Sequence, residues 1–138
     1  DFKGDIGIAV ELDWKPHYDG RTLHPMSEAD NVLFDKEGNI IEIRKNIQKP
    51  NSKIGEFAGI VKLSKNGSNI LLKKFCELQK YHNGRFHNAP SLKQSIIPDM
   101  IQELIDSEIK VEPILISGKW YEIDTPQDLE IAQKKIEK

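Results

Sequence analysis

The sequence predicts an α/β domain, a mixed sheet flanked by helices, and three observations predict it. Strand-length apolar runs at residues 5–12, 56–64 and 111–116 are interleaved, in the second half, with stretches of helical period. Two shorter runs, at 32–34 and 40–43, flank Asp35-Lys36-Glu37-Gly38-Asn39, which has the Asp/Gly/Asn chemistry of a hairpin turn. The 138 residues suffice for one core, and no repeat or low-complexity linker divides them, so residues 1–138 are read as a single domain.

Taken in order, residues 5–12 read as a buried strand, with no cap, start methionine or helix ahead of it. Residues 13–30 are polar and turn-rich and should form an ordered loop. The hairpin follows, with a positive φ expected at Gly38 or Asn39. Residues 48–53 form a Pro/Asn/Ser connector. In the strand at 56–64, Gly59, like the preceding Gly55, is expected where another backbone or a ligand comes close. Asn66-Gly67-Ser68 matches a glycosylation sequon but is better read as a turn. Leu71, Phe75, Leu78 and His82 then mark the inner stripe of a helix that Asn83-Gly84 ends. Ile97, Ile101, Leu104, Ile105 and Ile109 mark a second, in which Pro98 should cause a kink or a break. After the strand at 111–116, residues 120–123 read as a further short strand. The last helix has Thr125 as cap, Pro126 at its first position and Asp128 where a capping box places its acid, with Leu129, Ala132, Gln133 and Ile136 inward.

A net charge of −2 lacks the basic excess that draws a protein onto nucleic acid or a membrane surface, so neither is an expected partner. No apolar run approaches the roughly 18 residues needed to cross a bilayer. The single cysteine, Cys76, permits no internal disulfide, which favours a reducing cytoplasm; it lies on a helix with no motif around it and reads as structural.

Alternation along residues 118–126 puts Trp120, Glu122 and Asp124 on one face, so two carboxylates converge just before a helix amino terminus. Open α/β sheets bind ligands in such places, and Mg²⁺ takes one or two carboxylates there; the bland alternative is that Asp124 only helps cap the last helix. Residues 13–30 gather Trp14, Tyr18, Arg21, His17 and His24, the ingredients of a polar binding site or simply of a surface loop anchored by Trp14. Lys45, Glu56 and Lys62 stand at or near strand ends, where lysine can meet phosphate and glutamate a hydroxyl or amine. The histidines lack the partners of a zinc site. No P-loop, G-x-G-x-x-G or G-x-S-x-G occurs.

Three ordered motifs carry a resemblance. Asp13-Trp14 with Tyr18-x-x-Arg21-Thr22-x-His24-Pro25-x-x-Glu28-Ala29-Asp30, then Gly55-Glu56-Phe57-x-Gly59-Ile60-x-Lys62-Leu63-Ser64, then Trp120-x-Glu122-Ile123-Asp124-Thr125-x-x-Asp128-Leu129 resemble the second half of a nucleotidyltransferase. The nearest likenesses are cytidylyltransferases that activate phosphocholine or 2-aminoethylphosphonate, and the transferase domain of phosphoenolpyruvate mutase-type proteins. Sugar-1-phosphate nucleotidyltransferases are more distant.

The resemblance implies a Rossmann-like fold of the nucleotide-diphospho-sugar transferase type. It implies transfer of a nucleotidyl group, CMP from CTP, from a nucleoside triphosphate to a small phosphate or phosphonate acceptor, with Mg²⁺ as cofactor and pyrophosphate leaving. Asp124 would be the second metal-ligand aspartate, with Glu122 beside it contacting metal-bound water or acceptor. Glu56 would sit in the acceptor pocket, Trp14, Tyr18, Arg21 and Trp120 would shape that end of the cleft, and Lys45 would contact phosphate. The Gly-rich nucleotide loop and first metal aspartate of such enzymes have no counterpart here, so the amino-terminal part is expected to be missing and the chain alone to be inactive. A non-catalytic module for oligomerisation or ligand sensing, and a glycosyltransferase of related fold, are the alternatives; a homo-oligomer is compatible with all three.

Overall fold

A computed structural model describes residues 2–118 and 120–136. The strand read at the start is β1, Ile6–Glu11, buried at every residue. The polar loop after it contains two 3-10 turns, Lys15–Tyr18 and Met26–Glu28. β2 (Asp30–Phe34) and β3 (Ile40–Lys45) are the expected hairpin. Its turn is built as the residue types demand: the Asp35 carboxylate accepts from the Asn39 backbone N–H at 2.7 Å and from its side-chain amide at 2.8 Å, and Gly38 takes the positive φ.

β4, Ile54–Leu63, is the central strand. It pairs antiparallel with β2 at residues 54–56 and with β1 at residues 56–63. On β1's far side lies β5, Glu112–Ile116, in parallel, which gives the order β3-β2-β4-β1-β5. The two β4 glycines have different reasons. A side chain at Gly55 would strike Val10 and the Glu11 carbonyl, the close approach foreseen. Gly59 stands in open space at φ 73°, where β4 bulges and its residues 58–60 oppose the lone Ala9, so its requirement is conformational.

Three helices follow: α1 (Lys65–Tyr81), α2 (Ile97–Asp106) and α3 (Pro126–Ile136). Several expectations need correction here. Residues 66–68 form the first turn of α1, because the Ser64 hydroxyl caps it by accepting from Gly67 N–H at 2.9 Å; a side chain at Gly67 would meet the Asp5 carbonyl. Pro98 lies in the first turn of α2, where its missing N–H has no intrahelical partner to lose, so the helix is not kinked. Phe75 and Cys76 of α1 are exposed, which removes the structural reading of the cysteine. In α3 the buried residues are Asp128 and Ala132, with Leu129 and Ile136 exposed, so the inward stripe is rotated from the one read in sequence. Residues 120–123 form no strand; their side chains, not a backbone ladder, tie them to the rest.

The core packs Ile6, Ile8 and Val10 of β1 against Val32, Phe34, Ile43, Phe86, Ile101 and Leu104. A smaller cluster of Trp14, Tyr18 and Ala29, packed on Ile54, fixes the 13–30 loop to the sheet. Among the described residues no helix is long and apolar enough to cross a membrane.

Candidate functional site

The site is organised by one buried cation. The 13–30 loop brings Arg21 to the amino end of α3, where its Nε donates to Asp128 Oδ1 at 2.7 Å and its Nη2 to Asp124 Oδ2 at 3.5 Å. Its Nη1 lies 3.6 Å from Glu122 Oε2. The guanidinium rests over the Tyr18 ring, 4.6 Å from its centre, so a planar cation is held from beneath as well as from its edge. Beside it Gln127 Oε1 accepts from the backbone N–H groups of Thr22 and Leu23, at 2.8 and 3.0 Å. Two of the three sequence motifs, about a hundred positions apart, are thus joined by side chains.

Asp128 serves two ends at once. It accepts from Arg21, from Thr125 N–H at 2.9 Å and from the Thr125 hydroxyl at 2.8 Å, while Thr125 Oγ1 accepts from Asp128 N–H at 3.2 Å. This is the capping box read in sequence, with an arginine added. Burial works to raise the Asp128 pKa, but the hydrogen bonds from Arg21 and Thr125 outweigh it and hold the carboxyl below its ordinary range.

Glu122 and Asp124 look outward. Their side chains are 42% and 43% exposed, against 5% for Arg21, so a ligand arriving from solvent meets the carboxylates and not the cation behind them. His24 completes the corner, Nδ1 at 3.4 Å from Asp124 and Nε2 at 3.9 Å from Glu122. One ligand atom from each of the three lies within 4.8 Å of the others, close enough to share a metal ion. Burial and the neighbouring Asp124 raise the Glu122 pKa, with His24 and Arg21 opposing.

Behind this corner Glu56 is buried on β4 and accepts a hydrogen bond from the Tyr18 hydroxyl. Burial pushes its carboxyl up to about 7, with the Tyr18 hydrogen bond opposing. Burial and the Glu56 carboxylate raise the Tyr18 phenol in turn, keeping it a donor. Trp120 closes this pocket, its indole N–H donating to Glu11 and its ring 5.2 Å from that of His17. The space left among His17, Arg21, Glu56 and Trp120 is only about 10 Å³, the room of one water.

The structure therefore gathers Tyr18, Arg21, Glu56, Trp120, Glu122 and Asp124 into one region. Trp14 is a pillar, its indole N–H donating to the Ile54 carbonyl at 3.1 Å and its ring edge-on to Tyr18. Lys45, at the end of β3, is paired with Glu28 at 2.7 Å. Lys62, further along β4, is exposed. Sequence reasoning passed over Glu11, a carboxylate ending an otherwise apolar buried strand, and that mismatch of residue and setting was a readable signal. It weighed His24 as one ingredient of the 13–30 loop and as half of a zinc pair, not beside Glu122 and Asp124, and Asp128 as a cap without Arg21.

No family model matches the chain. Over 136 residues, 96% of its length, the chain is 24% identical to the CTP:phosphoglutamine cytidylyltransferase of Campylobacter jejuni, and it covers 51% of that protein. It thus spans about half the length of this curated relative. The chain is thus distantly similar to a cytidylyltransferase.

Proposed function

We propose that this chain forms the acceptor-binding and metal-completing part of a Mg²⁺-dependent nucleotidyltransferase that passes CMP from CTP to a small phosphate or phosphonate acceptor and releases pyrophosphate. The observation that carries the reading is the corner itself: two half-exposed carboxylates, Glu122 and Asp124, held in register by a buried arginine. A pair of carboxylate oxygens open to solvent suits a hard divalent cation, which keeps water and substrate phosphate in the rest of its shell. Asp124 would hold the ion with Glu122 beside it, and the bound ion would neutralise charge on the reacting phosphates. That the relative is named for CTP and a phosphorylated amino acid supports the same class of substrates.

The other residues have work that needs no metal. Arg21 fixes both carboxylates, so that they do not swing apart when a ligand arrives. Glu56 and Glu11, set among Trp120, Tyr18 and His17, suit an ammonium group on the acceptor. Because the space there is water-sized, acceptor binding must displace residues 120–123, which are not held by a strand ladder. Within these 138 residues no Gly-rich segment grips a triphosphate, so the reading assigns the chain the acceptor side alone.

Expressed from its full reading frame with CTP, Mg²⁺ and a panel of phosphorylated amino acids, phosphocholine and 2-aminoethylphosphonate, the protein should release pyrophosphate only when one acceptor is present. Release of a nucleoside diphosphate from a nucleotide sugar would instead establish the glycosyltransferase reading. No turnover with any acceptor would favour a binding module.

A further inference from the structure

We propose that the cavity between Trp14, Asn31 and the connection from β3 to β4 is a second binding site, for a compact oxyanion. The cavity holds about 370 Å³, in the range of small-molecule sites and far roomier than the gap beside Glu56. It shares no lining residue with that gap, and it does not depend on the nucleotidyltransferase reading.

Its lining chemistry is one-sided. Lys15 and Lys49 stand at it together with Asn31, Asn46, Gln48 and Ser52, and no carboxylate is among the residues that line it. Neither lysine has an acidic partner within 4.0 Å among the described residues. Two uncompensated ammonium groups beside several amides favour an anion with many acceptor atoms.

Asn31 supplies an independent observation. It lies in β2 between β3 and β4 and is 2% exposed. Its Oδ1 accepts from Ile47 N–H at 2.9 Å, which fixes which way the carboxamide faces. The Nδ2 group is left buried with no hydrogen-bond partner. Buried amide donors are nearly always paired, so this one calls for an acceptor, and the residue that carries it lines the cavity. A phosphate or a carboxylate in the cavity meets the two lysines, and it reaches the Asn31 donor, which has no exposed surface, by displacing the lining residues of the β3–β4 connection.

The test is a ¹⁵N–¹H NMR titration of the 138-residue chain with inorganic phosphate, succinate and chloride at matched ionic strength. Saturable shifts of the Asn31 side-chain NH₂ pair and of the Lys49, Asn51 and Ser52 amides are expected with phosphate, with succinate or with both, and the pattern tells which oxyanion fits. The surface variant Lys15→Gln/Lys49→Gln, which leaves the core untouched, should weaken the binding at least tenfold. Equal shifts with chloride, an unmoved Asn31 pair, or unchanged affinity in the double variant would each overturn the proposal.

Discussion

Arg21 meets three carboxylates and one aromatic face, and it does so while almost wholly buried. Arg21→Ala would leave Asp128 buried without its charge partner, a loss of about 3–5 kcal/mol, which urea denaturation will read as a lower midpoint. Arg21→Lys should recover only part of it, since an ammonium cannot reach Asp128, Asp124 and Glu122 from one plane. Glu56 makes a prediction of opposite kind. Its carboxyl titrates near 7 in the folded protein against an ordinary 4.5, so between those values the folded chain keeps a proton that the unfolded chain has given up. Stability is therefore favoured below pH 4.5 and falls as pH rises towards 7, by at most about 1.4 kcal/mol per pH unit from this group. Glu56→Gln removes the ionisation and should flatten that fall. Equal slopes of unfolding free energy against pH in both proteins would refute the assignment.

At the scale of elements, much of the fold was legible because local chemistry and local structure agree. Asp35, Gly38 and Asn39 specify one turn, and Thr125, Pro126 and Asp128 specify one helix start, with no help from distant residues. Thr125→Ala should cost about 1 kcal/mol as a lost cap, and somewhat more here because the threonine also donates to the carboxylate that holds Arg21. Thermal unfolding measures it; no change in midpoint would show that the cap is idle. The misreadings have a common cause. Alternation at 120–123 imitates a strand, but a strand needs a backbone partner, and these residues pair with no strand of the sheet, their side chains reaching Glu11 and Arg21 instead. The stripe of Leu129, Ala132, Gln133 and Ile136 holds in α3 only at Ala132, because the buried face is turned by Asp128, a polar residue drawn in by Arg21. Ser64 and Pro98 show the same limit at helix starts, where one residue decides between a turn, a kink and a first turn.

On the scale of the whole molecule, the site belongs to no single segment. Arg21 meets Asp128 across 107 positions, and Tyr18 meets Glu56 across 38. Sequence order alone could nominate the three motifs, and only the sheet order, with β4 and β1 at its centre, brings them to one end. Glu11 and His24 stand out in the sequence, but their partners do not, because each acquires them from a distant stretch of chain. The distant relative spans about twice this length, so the account concerns the part of the machinery that these residues build. Its central claim rests on Asp124, and Asp124→Asn keeps the shape of that side chain while removing its charge. Pyrophosphate release from CTP, measured for both proteins expressed from the full reading frame, should fall by at least about 100-fold in the variant while its melting temperature stays put. Activity retained in a normally folded Asp124→Asn protein would contradict the account.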